Sequence, residues 1–463
     1  MKAVFTALPV LLAAASAAQA QTLPDLLLKE FQRQSGVTGM AAAIVRDGQL
    51  AWHGEAGYAD AARKLPVTQE TEFRLGSVSK FVTIAMLARL VDQGKIDLQR
   101  PVRTYLPDYP AKQHEFTPLQ LATHTSGMGH YEFGDERFDD RAQPYKSVGE
   151  GLAVFRDRPL QSVPGTTYVY SSYGYNLLSA VMEKAARQDF LALLSGTAQL
   201  AGTPSLQAEL LAPVGAKWSQ LYTADGSEQA RRNITHKWSG GGMLANAPDI
   251  ARFGLKTLDP AFISPRTLAS FTTQQQFANG TGIGGKDYQQ AIGWRVSTDY
   301  YGRTYFHHAG AIEGGRSQLS VYPAQKAAVS LLANASFVSA VAQTAESLLD
   351  AYLPAQGATQ AAAAGAACRE GTRAYHGRWR NEDIKGRVRF TREGAYCKAE
   401  LSADHALGQA VARKGAPPAI VAYSRPGDGA AYFVTPVGIY PGKTAGDVLA
   451  LQTSSGPAEL RLK

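Results

Sequence analysis

The first candidate for chemistry is the stretch GSVSK, in which Ser77 and Lys80 stand three residues apart before an apolar run. From Phe81 to Val91 the apolar residues cover nearly every face of a helix, which is typical of a buried helix, and Gly94 ends it. Positions i and i+3 share a helix face, so the lysine lies within reach of the serine hydroxyl. Burial disfavours the ammonium, and a neutral lysine can accept the serine proton. The spacing predicts an activated nucleophile; a chance pairing on a solvated helix face is the alternative.

The second candidate is a phenol. The segment PGTTYVYSSYGYN passes from a Pro-Gly turn through a short β-prone stretch into a helix near Tyr175. Tyr170 lies at that junction, before Ser171 and Ser172, where a loop can present it to a cleft. A phenol flanked by a lysine has a lowered pKa and can serve as general base or acid. The alternative is that the tyrosines of this segment only pack, which we expect for most of them.

The third candidate group is the stretch YFHHAGA. His308 is expected to close a strand, and Gly310 permits a close backbone approach by a substrate. The N–H groups of Ala311 and Ser77 could together form an oxyanion hole. His307 is expected to face the other side of the strand. Because no third ligand stands at a useful spacing, a zinc site is disfavoured, and no cofactor is expected.

In chain order, these groups resemble the motifs of the serine β-lactamases and penicillin-binding proteins, which are Ser-x-x-Lys, Tyr-x-Asn, and Lys-Thr-Gly or His-x-Gly. Here they stand as Ser77-Val78-Ser79-Lys80, Tyr170-Ser171-Ser172 and His308-Ala309-Gly310. The stretches LATHTSGM (121–128), WSGGGMLANAPDIARF (238–253) and AIGWRV (291–296) look like the class C-related branch. Within it, the sequence looks closest to the mitochondrial β-lactamase-like protein and its bacterial relatives. The resemblance covers about residues 22 to 353.

This resemblance implies an acyl-enzyme. Ser77 would be the nucleophile, Lys80 its activating partner, and Tyr170 the proton shuttle. Ser172 replaces the usual asparagine of the second motif, and His308 stands where the Lys-Thr-Gly form of the third motif has a lysine. A hydroxyl offers fewer donors than an amide, and a neutral histidine lacks the fixed positive charge that would hold a substrate carboxylate. Efficient β-lactam turnover is therefore less expected than the acyl-enzyme chemistry itself.

Three functions follow as hypotheses. The leading one is an exported serine hydrolase that cleaves an amide bond in a β-lactam or in a small peptide, including a D-amino-acid peptide. The second is a carboxylesterase of the same family, because the nucleophile and the oxyanion hole serve esters equally well. The third is a non-catalytic penicillin-binding or envelope-binding protein. The expected partner of the first two is a small-molecule or peptide substrate.

The order of elements predicts the fold that positions these residues. A helical pattern at 22–36 precedes a hairpin about Asp47-Gly48, a helical region at about 77–255, four strand-like runs and a last helix. This order predicts an α/β fold of the β-lactamase/transpeptidase type, with an antiparallel sheet, flanking helices and a helical subdomain, over residues 21–353. An Ala-rich linker is predicted at 354–367, with a poorly capped helix as the alternative. A small all-β domain is predicted at 368–463.

The N-terminus and the composition bear on location and partners. Residues 1–20 combine Lys2, an apolar run and Ala-Gln-Ala, which predicts a signal peptide cleaved near Ala20 and a periplasmic or secreted protein without a transmembrane anchor. In that oxidising context Cys368 and Cys397 could form a disulfide. Of the net charge of +8, residues 369–463 hold 15 Lys and Arg against 9 Asp and Glu. These cations are scattered and no nucleic-acid motif accompanies them, so a solvated basic surface is the default interpretation, and contact of the C-terminal domain with an anionic envelope polymer is the alternative.

Overall fold

The computed structural model describes residues 21–131, 143–211, 215–353, 368–412, 418–425, 428–453 and 456–463. The predicted signal peptide (1–20) and the predicted linker (354–367) lie outside these residues. The described part divides into an α/β unit that ends with the helix at Tyr352 and a β barrel that starts at Gly371. The limits of the predicted domains stay predictions.

The helices are distributed over both parts of the chain. In the described residues they are α1 (Leu23–Ser35), α2 (Val78–Asp92), α3 (Val102–Tyr105), α4 (Pro118–Ala122), α5 (Val148–Leu152), α6 (Ser172–Ala186), α7 (Phe190–Ala201), a 3₁₀ turn (Thr235–Lys237), α8 (Trp238–Gly241), α9 (Ala247–Lys256), α10 (Pro265–Thr272), α11 (Val341–Tyr352) and α12 (Ala406–Ala410). None of the helices in this part of the chain combines the length and the apolar composition needed to cross a lipid bilayer.

Within the ranges that the structure describes, the strands form one large sheet, two small sheets and the barrel. Those of the α/β unit are β1 (Gly39–Arg46), β2 (Gln49–Asp60), β3 (Leu65–Pro66), β4 (Phe73–Arg74), β5 (Gln207–Ala208), β6 (Leu221–Tyr222), β7 (Glu228–Gln229), β8 (Met243–Ala245), β9 (Gln289–Gln290), β10 (Arg295–Thr298), β11 (Thr304–Ile312), β12 (Gly315–Tyr322) and β13 (Ala327–Ala333). Those of the barrel are β14 (Gly371–Trp379), β15 (Glu382–Glu393), β16 (Tyr396–Leu401), β17 (Ile420–Ser424), β18 (Ala430–Thr435), β19 (Gly438–Ala445), β20 (Val448–Thr453) and β21 (Gly456–Leu462).

The large sheet is antiparallel, with the strand order β3-β2-β1-β13-β12-β11-β10-β9 among the described residues. The predicted hairpin joins β1 to β2, and its turn residues Asp47 and Gly48 both have positive φ, the geometry of a tight two-residue hairpin turn. Strand β1 also pairs with β13, so Met40 lies opposite Ala333 although nearly the whole α/β unit separates them in sequence. The predicted fold class is therefore confirmed.

Both faces of this sheet are covered. Along β1, alternate side chains enter two different cores, as the two-residue period of a strand requires. Ala41, Ala43 and Val45 pack with α2 and the helical subdomain, whereas Ile44 and its alternating neighbours pack with α1 and α11. Helix α2 is buried along most of its length, as its all-round apolar pattern predicts.

The C-terminal strands close into a barrel, since each pairs with the next and β14 pairs with β21. Tyr375, Trp379 and Phe433 are among the large side chains that fill its interior. The outer face of β17–β19 packs on α1 and α11, the two helices that cover the face of the large sheet opposite α2. Here Tyr432 donates to Asp350 of α11 at 2.6 Å. The predicted all-β domain is confirmed as a closed barrel, a topology that the alternating strands alone did not specify.

The predicted disulfide is also present. Cys368 and Cys397 are bonded to each other with their Cα atoms 5.2 Å apart. Cys397 lies in β16, and Cys368 stands just before β14. The bond therefore ties the start of the barrel to a strand two positions along its wall.

Candidate active site

Ser77 lies in the turn between β4 and α2, directly before the first residue of the helix. Gly76 has a positive φ of 49°, and a Cβ atom on it would meet the backbone nitrogen of Ala311 at 3.0 Å. One helical turn after Ser77, Lys80 is completely buried, and its Nζ donates to Ser77 Oγ at 3.1 Å. The structure thus brings the predicted serine and lysine together at the N-terminus of a buried helix, where the helix dipole favours negative charge.

Two further acceptors surround the lysine ammonium. Lys80 Nζ donates to Ser172 Oγ at 2.8 Å and to the carbonyl oxygen of Gly240 at 2.5 Å. Burial lowers the pKa of Lys80 from its ordinary value, because the ammonium has lost its water, and the facing Tyr170 acts in the opposite direction. The Gly240 carbonyl was not predicted. The run of three glycines at 240–242 was the sequence feature that marked this segment. A glycine is needed at 240 because a Cβ there would lie 2.8 Å from the Ser172 carbonyl oxygen.

Tyr170 completes the group from the other side. Its hydroxyl donates to Ser77 Oγ at 2.8 Å, and Lys80 Nζ lies 4.8 Å from the centre of its ring. Burial raises the pKa of Tyr170, but the Lys80 charge and the hydrogen bonds with Ser77 and Lys80 outweigh it, so the net pKa is below that of an ordinary tyrosine. Helix α6 begins at Ser172, earlier than the predicted start near Tyr175, and the β-prone stretch before it is a loop.

Two histidines hold the Tyr170 loop. His124 Nδ1 accepts the backbone N–H of Ser171 at 3.1 Å, and its ring centre lies 4.4 Å from that of Tyr170. Burial holds the pKa of His124 well below its ordinary value, so its ring is neutral. His130 Nδ1 accepts the next N–H, that of Ser172, also at 3.1 Å. Sequence reasoning missed His130, and no spacing rule points to it.

The strand that carries the third motif passes behind Ser77. The sequence predicted that His308 closes its strand. Strand β11 instead continues to Ile312, so His308 and Gly310 lie within the strand. A Cβ on Gly310 would lie 2.1 Å from the Leu75 carbonyl oxygen and 3.1 Å from the Ser77 backbone nitrogen. The backbone that approaches Gly310 closely is therefore the turn at residues 75–77, which we call the nucleophile loop after the predicted role of Ser77. Next to it Ala311 is exposed and borders the same cleft as Ser77.

We expect Gly310→Ala to slow acylation of the protein about 100-fold or more and to lower its melting temperature. The added methyl cannot fit beside the Leu75 carbonyl, so the loop and β11 must separate and Ser77 must move away from Ala311. The measurement is the rate of labelling by a fluorophosphonate. Gly196→Ala is the control, because a Cβ there meets nothing within 4 Å. Labelling of Gly310→Ala at the unaltered rate would contradict this account.

His308 is buried beneath this group. Its Nδ1–H donates to the carbonyl oxygen of Ala309 at 2.6 Å. Burial, with the charges of Arg295 and Lys80, holds the pKa of His308 well below its ordinary value, so the ring is neutral. His307 faces the other way, with Nε2 3.0 Å from Ser297 Oγ. The alternation predicted for the two histidines is therefore found.

A cleft of about 300 Å³ opens over Ser77. The residues that line it include Ser77, His130, Ser172, Arg232, Lys237, Gly240, Ala311 and Glu313. In the wall of the cleft, Arg232 and Glu313 form an ion pair, with 3.6 Å between Nη1 and Oε1. Within the described residues, no group of three or more His, Cys, Asp or Glu is arranged to hold a metal ion. The lining combines charged and polar side chains with apolar ones such as Ile312, and Ser77 is the predicted nucleophile among them.

Replacement of Tyr170 by phenylalanine is expected to lower the acylation rate by about 10²- to 10³-fold. The acid limb of the pH profile, along which the rate rises as the base loses its proton, should also move to lower pH. The sign follows from Lys80, because contact with Tyr170 raises the pKa of that lysine and the variant removes the contact. Single-turnover labelling across a pH series measures both effects.

The matched control is Tyr168→Phe, two residues away in the same loop. The Tyr168 ring also contacts His124, but its hydroxyl lies 3.5 Å from Gln290 instead of facing Ser77. We expect this variant to keep the rate and the pH profile of the unaltered protein. An unchanged acid limb in Tyr170→Phe would exclude the Tyr170–Lys80 pair as the group that titrates.

The fold and this site define a serine hydrolase. The family model described as Beta-lactamase matches residues 25–352, so the chain belongs to the beta-lactamase family. Members of the family are serine hydrolases. The human mitochondrial serine beta-lactamase-like protein LACTB is 25% identical over 389 residues, which cover 64% of this chain and 71% of LACTB. Esterase EstB of Burkholderia gladioli is 31% identical over 181 residues, 36% of this chain and 46% of the esterase.

Solved structures share the fold. A D-stereospecific amidohydrolase from Streptomyces sp. aligns with 68% of this chain and 94% of its own, with a TM-score of 0.57 and 21% identity. The octameric penicillin-binding protein homologue from Pyrococcus abyssi aligns with 94% of this chain and 99% of its own, with a TM-score of 0.61 and 17% identity. The second alignment extends beyond the α/β unit, so it includes the barrel.

Proposed function

We propose that this protein is an exported active-site serine hydrolase that forms an acyl-enzyme on Ser77 and cleaves an amide bond in a small molecule or peptide. The observation that carries the proposal is the convergence of Lys80 Nζ and the Tyr170 hydroxyl on Ser77 Oγ, at 3.1 Å and 2.8 Å, at the floor of a cleft. One oxygen is thus in contact with two groups whose pKa values are both below those of an ordinary lysine and an ordinary tyrosine.

In the proposed reaction, Ser77 Oγ attacks the substrate carbonyl carbon and its proton passes to the Lys80–Tyr170 pair. The carbonyl oxygen becomes an oxyanion that the N–H groups of Ser77 and Ala311 stabilise. As the amide bond breaks, Tyr170 returns the proton to the leaving nitrogen, and the acyl group stays on Ser77 as an ester. Water then attacks this ester and gives its proton to the same pair, so that the acid leaves and the hydroxyl of Ser77 is restored.

The substrate preference rests on Ser172 and His308. Ser172 Oγ already accepts from Lys80, and the buried His308 is neutral, so neither supplies a fixed charge for a substrate carboxylate. We therefore place small or D-amino-acid peptide amides above penicillins and cephalosporins as substrates. A carboxylesterase is the second candidate, favoured by the likeness to Esterase EstB.

The test is a panel on the mature protein: a nitrophenyl ester, a chromogenic cephalosporin and a D-amino-acid anilide, with fluorophosphonate labelling and peptide mapping in parallel. The proposal expects an adduct on the peptide that contains Ser77 and turnover of the anilide. Turnover of the ester alone would select the esterase. A protein that never acquires an adduct would be the non-catalytic binding protein.

Export is part of the proposal. It is supported by the signal-like N-terminal sequence and by the Cys368–Cys397 disulfide, because such bonds persist in oxidising compartments. The expectation is a periplasmic or secreted protein whose mature N-terminus is Gln21. Cell fractionation with N-terminal sequencing tests it, and a cytosolic protein that keeps residues 1–20 would contradict it.

For the barrel, we propose contact with an anionic envelope polymer through one outer face. Strand registers place Lys385 of β15 opposite His376 of β14, and His376 opposite Arg461 of β21, all exposed. Arg387 follows two residues after Lys385 on the same face of β15, and it is also exposed. Arg461 already pairs with Glu459 at 2.9 Å, and the other cations of this exposed face would attract a polyanion.

This contact is tested with immobilised heparin as the polyanion. The double variant Lys385→Glu/Arg387→Glu should elute at lower salt than the unaltered protein and should keep its labelling rate. Lys64→Glu/Lys95→Glu makes the same charge change at exposed positions of the α/β unit and is the control. Equal shifts in both double variants would reject the barrel face and leave net charge as the cause.

A further inference from the structure

Arg74 is a buried charge three residues before Ser77. It lies in β4 with no exposed side-chain surface, and its partner Glu209, directly after β5, is 4% exposed. Two parallel bonds join them, from Arg74 Nε and Nη2 to the two carboxylate oxygens at 2.8 Å and 2.6 Å. Glu209 also accepts from Arg231 at 3.0 Å. A buried ion pair is weak support for stability, because apolar residues of similar volume often serve as well, so its presence here needs another reason.

The remaining N–H groups of Arg74 bind the wall of the cleft. Nη1 donates to the carbonyl oxygen of Glu313, and Nη2 donates to that of Arg232, each at 3.2 Å. Glu313 and Arg232 are the two residues whose side chains pair across the cleft wall. Glu313 also stands two residues after Ala311. One guanidinium therefore fixes three separate segments next to the site: the end of β5, the loop at Arg232 and the turn between β11 and β12.

Leu75, directly after β4, is hydrogen-bonded to β12. The carbonyl oxygen of Leu75 accepts from Ser317 Oγ at 2.6 Å, and Ser317 lies opposite Gly310 in the sheet. The nucleophile loop is thus held to β12 through Ser317 on one side and to the turn between β11 and β12 through Arg74 on the other. A planar guanidinium places its donors on three nitrogen atoms and so reaches both carboxylate oxygens and two carbonyls that lie apart, whereas all three donors of a lysine leave from one nitrogen atom.

We infer that Arg74, locked by Glu209, is a positioning residue that sets Ala311 relative to Ser77 for oxyanion stabilisation. This rests on the proposed function, since it concerns the geometry of the same nucleophile. Arg74 touches no reacting atom. It acts through the Glu313 carbonyl and the β4 backbone.

The test is single-turnover labelling of the full chain by a fluorophosphonate, with the steady-state constants for a nitrophenyl ester. The final extent of labelling reports the folded fraction, and the rate reports the geometry. In Arg74→Lys we expect the rate and kcat to fall about 10- to 100-fold while KM changes less than about threefold, because an oxyanion contact acts in the transition state. Glu209→Gln keeps the shape of the partner and should lower the rate in the same direction.

Arg303→Lys is the matched control. Arg303 is 7% exposed and bonds Asp299 at 2.6 Å and Asp350 at 2.9 Å, in the core opposite α2. This variant should lose melting temperature and keep its labelling rate. The inference is overturned if Arg74→Lys and Glu209→Gln only lose stability or folded fraction, with the rate of the remaining protein unchanged. An unaltered protein that is never labelled on Ser77 would instead reject the proposed function.

Discussion

Replacement of Ser77 by alanine is expected to abolish acylation and to lower hydrolysis of any substrate in the panel by about 10⁵- to 10⁶-fold, the loss found when an acyl-enzyme nucleophile is removed. The physical reason is that Lys80 and Tyr170 both form hydrogen bonds with Ser77 Oγ. Residual activity should come only from the oxyanion donors and from substrate binding. Intact-mass analysis after fluorophosphonate treatment measures the adduct directly.

Ser79→Ala is the matched control for this variant. Ser79 stands in the same motif and is equally a buried hydroxyl, but its Oγ accepts the backbone N–H of Met243 and faces away from the cleft. It should lose some stability and keep the adduct. An adduct that persists in Ser77→Ala would show that Ser77 is not the nucleophile and would contradict the proposed reaction.

The second large effect is expected at Lys80. Lys80→Met should lower the acylation rate by about 10³- to 10⁴-fold, because Ser77 loses the base that takes its proton. The variant also leaves the Gly240 carbonyl and the Ser172 hydroxyl without the ammonium they bind, so the melting temperature should fall. Labelling rates under single-turnover conditions, with circular dichroism to follow unfolding, separate the two consequences.

Lys80→Arg distinguishes a base from a fixed charge. A guanidinium keeps the positive charge but does not give up its proton at any pH a protein tolerates. If Lys80 acts as a base, Lys80→Arg should be nearly as slow as Lys80→Met in the folded fraction. Recovery of most of the activity by arginine would show instead that Lys80 contributes electrostatic stabilisation of Ser77 and Tyr170. Tyr170 would then be the base.

Much of the fold was predictable because its signals are local. The period of apolar residues predicted α2, the Asp47-Gly48 pair predicted the hairpin turn, and alternation predicted the barrel strands. The Ser77–Lys80 proximity belongs to the same class, since one helical turn brings i and i+3 together wherever the helix lies. Boundaries were less accurate: α6 begins at Ser172, and β11 runs to Ile312.

Contacts between distant residues were not predictable from such patterns. Gly240 lies 160 residues from Lys80, and Glu209 lies 135 residues from Arg74. Nothing in the local sequence around either acceptor requires these partners. The contacts exist because the sheet pairs β1 with β13 and packs α2 and α6 on one face, which brings the loops of separate segments over Ser77.

The sequence by itself therefore determined which groups are available for the proposed chemistry: a serine with a lysine one turn away on a buried helix, a tyrosine near a loop, and a β domain after them with two cysteines that could pair. Tertiary structure decided how these groups are used. It buried His308 as a neutral ring within a strand, made the nucleophile loop the partner of Gly310, and assigned Arg74 to the cleft wall. The reason is physical, because side-chain spacing along a helix is fixed by the backbone, whereas burial and charge pairing depend on which distant segments pack together.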